Sequence, residues 1–218
     1  RVDVLRADKH DEAAKSDDPK RLVNLNERFN SALTAFDEGR SDEALAAFMA
    51  VLAERPDFTA ARTSAATVLL ARGAPRDAVR VLDEGLRRGD LSPDLLARLG
   101  RARQAAGDFH GAVAALERAR AAGDDNPEVA GDLAIANAAL GRVDAAREIF
   151  RDQLTRDPSS ATTWYNLGLL ELQSRHAADA AAAFRRAAAI DPGYGEAWQA
   201  LGASLADSDR RGAIAAWR

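Results

Sequence analysis

The stretch ATTWYNLGLLELQSRHAADAAAAFRRAAAIDPGY, residues 161–194, decides the fold. It reads as two helices with a break near Arg175 and a stop at Pro192, since proline cannot continue a helix and restricts the residue before it. The same layout recurs along the chain. Ala180 is matched by Ala44, Ala78, Ala112 and Ala146, each 34 residues from the next. Gly39, Gly73, Gly107 and Gly141 keep that spacing five residues before the matching alanine. Phe48, Leu82, Leu116, Phe150 and Phe184 form a third column, and Pro56, Asp90, Asp124, Pro158 and Pro192 a fourth. A fixed period of this length is the signature of stacked supersecondary units.

Each column has a physical purpose. The glycine ends a first helix of about 14 residues, because it enters the left-handed region without a Cβ clash. Ala32, Ala66, Gly100, Ala134, Gly168 and Gly202 lie seven residues before that position. With the alanine column they let two antiparallel helices approach closely. The large apolar column fills the space between one hairpin and the next. The Pro or Asp column ends the second helix and opens a turn. No segment shows strand alternation bounded by hairpin signals, so no sheet is expected.

At these residues the unit resembles the tetratricopeptide repeat (TPR), through Trp164, Leu167-Gly168, Ala180, Phe184, Ala187 and Pro192. Glu171 stands where that family has tyrosine, and Arg175 where it has the turn glycine. Five full units are read at 25–58, 59–92, 93–126, 127–160 and 161–194, with a partial sixth at 195–218. The 34-residue period and the negative charge both argue against the RNA-binding pentatricopeptide repeat. The resemblance implies an all-α, right-handed α-solenoid of helix-turn-helix units.

Residues 1–24 differ, carrying twelve charges, six of each sign. Asp18-Pro19 is a sound helix start, with Asp as N-cap and Pro at the first helical position. This leaves 1–17 as a linker. The run Asp18-Pro19-Lys20 leading into the array resembles the junction in some bacterial sulfatase-like proteins with C-terminal TPRs. The start at Arg1 and the stop at Arg218 read as a piece of something longer.

Composition narrows the function. The net charge of −4 lacks the basic footprint of a nucleic-acid binder. No apolar run approaches the roughly 18 residues of a membrane span. There is no cysteine, hence no disulfide framework, thiolate metal site or cysteine nucleophile. His10, His110 and His176 are far apart and read as solvated. No glycine-rich phosphate loop is present. Neither catalytic residues nor a cofactor nor a metal site is therefore expected.

What the resemblance implies is an extended concave face for a protein or peptide, lined by the first helix of each unit. Carried over by position, that face holds Phe29, Leu33 and Phe36 in the first unit, Thr63 and Thr67 in the second, and Arg98 and Arg101 in the third. Ile135 follows in the fourth, with Tyr165, Asn166, Leu169 and Leu172 in the fifth. The two arginines read equally as partners of Glu128 or Asp132. The family's carboxylate clamp is expected to be absent, because its Lys and Asn slots begin Phe29, Leu33 and Ser64.

Phe29, Leu33 and Phe36 share one side of a helix at i, i+4, i+7. Large apolar groups should not face water, so something other than the next repeat is expected to cover them, residues 1–24 first. The plainer alternative is a slightly rotated helix that uses them as core. Two further functions stand beside the scaffold: an accessory region of a larger hydrolase, and a homodimer through Trp198, Leu205, Ile214 and Trp217.

Overall fold

The computed structural model describes residues 19–205, and its side chains from residue 23. Eleven helices and no strand are found among the described residues. They are α1 (Pro19–Asp37), α2 (Ser41–Glu54), α3 (Thr59–Ala71), α4 (Pro75–Arg87), α5 (Pro93–Ala105), α6 (Phe109–Ala121), α7 (Pro127–Ala139), α8 (Val143–Arg156), α9 (Ala161–Gln173), α10 (Ala177–Ile190) and α11 (Gly195–Leu205). No described helix is long and apolar enough to cross a membrane. The chain divides into two compact units, Arg1–Gly107 and Asp108–Arg218.

The columns read from the sequence are core. Ala44, Ala78, Ala112, Ala146 and Ala180 are fully buried, as are Phe48, Leu82, Leu116, Phe150 and Phe184. The small residues Ala32, Ala66, Gly100, Ala134, Gly168 and Gly202 are buried too. In the second unit Gly168 lies directly against the Phe184 ring, and a Cβ there would stand 2.6 Å from Cδ1 and Cε1. Phe150, Leu154, Leu167 and Leu170 form a neighbouring cluster on which Trp164 leans. The Trp164 and Trp198 indoles each donate to the carbonyl of the proline that ended the previous repeat, Pro158 at 3.0 Å and Pro192 at 3.2 Å. Each aromatic thus pins a first helix to the turn before it.

Helix ends follow from backbone requirements. The turn glycines have φ between 69° and 81°, and where glycine is replaced Arg175 takes φ 63°. The bond that closes the turn persists there, His176 N–H donating to the Glu171 carbonyl at 2.8 Å. In the next type of turn an aspartate does the closing: Asp90, Asp124, Asp157 and Asp191 each accept an N–H two residues on, at 2.9–3.0 Å. That local bond offers the backbone an alternative to continuing the helix. Where Asp rather than Pro holds the column, Gly89 and Gly123 end α4 and α6 one residue earlier, with positive φ. α1 is described from Pro19 onward, and the expected cap Asp18 and residues 1–17, with His10 among them, lie outside the described residues.

Candidate functional site

In the first unit the first helices are α1, α3 and α5. Phe29 on α1 sits between two other rings, its centroid 5.6 Å from Phe48 and 5.1 Å from Phe58. Leu33 and Phe36 are half-buried and pack on the same core, which also takes in Leu25, Ala32 and Ala35. Phe29 thus packs within its own repeat, as in the rotated-helix alternative, while residues 1–18 of the expected cover lie outside the described residues. Phe58, in the turn leading into α3, and Phe48 on α2 supply the contact. Arg28, a weak core residue by its chemistry, pairs instead with Glu54 at the end of α2.

Thr63 is 4% exposed, and its hydroxyl donates to the Ala60 carbonyl at 3.3 Å, so it presents almost nothing to a ligand. Thr67 is half-buried and accepts a bond from Arg98 Nη1 at 2.8 Å. Arg98 Nε also holds Asp94 Oδ1 at 3.0 Å, one helical turn earlier. This guanidinium is therefore engaged within its own unit. Arg101 is half-buried.

In the second unit the first helices α7, α9 and α11 carry a different chemistry. Ile135 on α7 is 38% exposed, and Leu169 and Leu172 on α9 are 42% and 40% exposed. Ile135 and Leu169 occupy the same position of successive repeats, and Leu172 lies one turn further along α9. Tyr165 turns inward, stacking on Phe184 at 5.6 Å and Tyr194 at 5.0 Å. Asn166 is half-buried. Trp198 and Leu205, expected on an exposed end, pack partly buried against Ala180, Ala181, Phe184 and Leu201. Ile214 and Trp217 lie outside the described residues.

One polar cluster escaped the reading of the sequence. Glu171, at the position of the family's tyrosine, is 5% exposed. Its two oxygens accept from Arg147 Nε at 2.6 Å and Nη2 at 3.0 Å. His176 Nδ1 stands 2.9 Å from Oε2, so this histidine is not simply solvated. The Arg147 bonds hold the Glu171 carboxyl below the usual carboxylate range, against the opposing effect of burial. Asp179 completes a group whose possible ligand atoms lie within 4.8 Å of one another. Both Glu171 oxygens already face a guanidinium, however, which repels a cation. The signal was the departure of Glu171 from the family's tyrosine, and the missing information was which basic residue would meet it.

With this geometry in hand, the chain can be set beside known proteins. A family model for the tetratricopeptide repeat matches residues 35–102 and 103–168, and another matches 154–195. No curated protein matches. Among solved structures, PilF of Pseudomonas aeruginosa superposes with a TM-score of 0.71 at 16% identity, over 90% of each chain. YrrB, described as a TPR protein with an unusual peptide-binding site, gives 0.66 at 21% identity, over 84% of this chain and 96% of that one. MamA of Desulfovibrio magneticus gives 0.60 at 21% identity, over 71% and 86%. At such identities the likeness is one of fold. These matches lend no support to a sulfatase-like context for the Asp18-Pro19-Lys20 junction.

Proposed function

The chain belongs to the tetratricopeptide repeat family, and from that premise we propose that it is a non-catalytic scaffold that binds a protein segment on its first-helix faces. The observation that carries this reading is the exposure of Ile135, Leu169 and Leu172 at face positions of α7 and α9. Val23, Met49, Leu91 and Ile190 are exposed as well, but Ile135, Leu169 and Leu172 fall at face positions of successive first helices, where they offer apolar area to a partner. An amphipathic segment that covers them gains roughly 25 cal/mol for each Å² of apolar surface removed from water. The peptide site named for YrrB supports the same use of the fold. In the first unit the corresponding Thr67, Arg98 and Asp94 are polar and bonded to one another, so no comparable apolar area is offered there.

The test begins with peptides selected from a displayed random library on the full chain. Ile135→Asp/Leu169→Asp should lose those peptides while keeping the wild-type unfolding midpoint, because both side chains are already substantially exposed. Peptides that bind wild type and variant equally would place recognition elsewhere and overturn the reading.

A further inference from the structure

We propose that the pocket between α2, the start of α3 and the second half of α4 binds an oxyanion carried on a short apolar chain, a carboxylate or a phosphate monoester. The pocket lies wholly within the first unit and holds about 570 Å³, inside the ~300–1,000 Å³ range of small-ligand sites.

The residue that carries this inference is Arg62. It occupies the position that Trp164 and Trp198 hold in later repeats, and like them it reaches back to the turn before its helix. Its Nη2 donates to the Pro56 carbonyl, and its Nη1 to the Val81 carbonyl at 2.8 Å. Pro56 and Val81 line the pocket together with Arg62, so the guanidinium sits in the pocket wall. Exchanging an indole for a guanidinium puts a charge on a residue only 4% exposed. The two carbonyls engage two of its five N–H groups. Glu84 and Asp90 act on it as charges without a bond, and no carboxylate pairs with it among the described residues. Arg28, at the same position one repeat earlier, does have such a partner in Glu54. Buried charges are as a rule paired. Burial first, and then the like charge of Arg88, lower the pKa of Arg62, and a bound anion would oppose both effects.

The fold reserves space for this side chain. Gly85 on α4 stands where other repeats carry Val51, Ala119, Gln153 and Ala187, and a Cβ there would lie 2.6 Å from Arg62 Cδ. The remaining lining suits the same ligand. Arg80, Arg87 and Arg88 join Arg62 around the pocket, against the single carboxylate of Glu84. Glu84 is already shared between Arg87 at 2.6 Å and Arg88 at 2.8 Å, which leaves a surplus of positive charge. Guanidiniums grip carboxylate and phosphate oxygens through paired N–H groups. Leu52, Ala53 and the exposed Met49 supply an apolar wall for the chain that bears the anion.

This site is separate from the one proposed above, since Ile135, Leu169 and Leu172 belong to the other unit. Calorimetric titration of the full chain at low salt tests it, using hexanoate, hexyl phosphate, hexylamine and inorganic phosphate. Hexanoate, hexyl phosphate or both should bind, with affinity falling as salt rises, and hexylamine should not. Binding by hexanoate alone assigns a carboxylate, and binding by hexyl phosphate alone assigns a phosphate ester. Arg62→Trp, which installs the residue of the later repeats and keeps a donor for the Pro56 carbonyl, should weaken binding roughly tenfold or more. Arg80→Gln/Arg88→Gln changes exposed side chains only, and decides the matter if Arg62→Trp disturbs folding. It should weaken binding several-fold with the melting temperature unchanged, and Leu169→Asp should leave binding intact. No binding by either hexyl anion, equal binding of hexylamine, inorganic phosphate binding as tightly as the hexyl anions, or full affinity in either arginine variant would overturn the proposal.

Discussion

Replacing Gly168 by alanine adds one methyl group to the middle of α9, and its effect can be worked out from the coordinates. The new Cβ would stand 2.6 Å from Phe184 Cδ1 and Cε1 and 3.0 Å from Cζ, whereas carbon atoms rest at about 3.5–4.0 Å. Phe184 has no exposed surface and is backed by Tyr165, so the ring has no free direction in which to yield. Overpacking of this kind costs about 1–3 kcal/mol, against which alanine gains up to about 1 kcal/mol of helix propensity. The expected result is a net loss of roughly 1–2 kcal/mol. Gly131, in the middle of α7, provides the control: a Cβ there meets only Gln153 Nε2, at 3.9 Å. Gly131→Ala should therefore stabilise by roughly 0.5–1 kcal/mol. Urea unfolding followed by far-UV circular dichroism should move the two midpoints in opposite directions. If Gly168→Ala is as stable as wild type, or both variants shift together, the helix spacing inferred for α9 and α10 is wrong.

Arg175→Gly should raise stability by roughly 0.5–1 kcal/mol, because it relieves a left-handed backbone at an exposed turn; a lower urea midpoint would refute this. Glu171→Gln should cost about 1–3 kcal/mol near neutral pH, as it unpairs a largely buried Arg147. The Glu171 carboxyl is held low in the folded chain, so its contribution is complete above its unfolded pKa of about 4.3 and disappears as pH falls through the lowered folded value. The gap between wild type and Glu171→Gln, measured by unfolding at a series of pH values, should narrow only in acid. A gap that widened there would reverse the assignment. Phe29→Ala should lose about 2–3 kcal/mol, since it empties a site between Phe48 and Phe58. A loss below about 0.5 kcal/mol, the ordinary size of a surface change, would return Phe29 to the accessible face.

The hairpins were legible because each repeat solves the same packing problem with the same residues in register. A glycine or alanine seven residues before the turn, an alanine after it and one large apolar side chain leave few other folds open. The direction in which α1 presents Phe29 was not legible. Helical periodicity tells which residues share a face, and it carries no information on which distant element approaches that face. Phe58 comes from a turn 29 positions away. Thr63 was misjudged for a related reason: counting positions along a unit assumes an unvarying helix rotation, yet this residue is buried on α3. Among the apolar face residues, Ile135, Leu169 and Leu172 are the ones whose exposure a positional reading captured. The Arg147–Glu171 pair was hidden because the two residues belong to different units, and the departure of Glu171 from the family's tyrosine does not say which basic residue meets it.

Repeat arrays are often treated as strings of interchangeable bricks, and the Arg147–Glu171 contact limits that freedom here. Arg147 belongs to the unit at 127–160 and Glu171 to the unit at 161–194. At the equivalent pair of positions other junctions carry Leu45 with Leu69, Val79 with Arg103, and Val113 with Asn137. Arg103 finds Asp83 instead. Each interface thus has its own lock, and the one between 127–160 and 161–194 is ionic. Moving the 161–194 unit behind any of these would bury the Glu171 carboxylate without Arg147, with only His176 of its own unit beside it, a mismatch of up to roughly 3–5 kcal/mol. The order of these two repeats is therefore written into their shared surface, and recombination within the gene could duplicate or transpose them only as a pair.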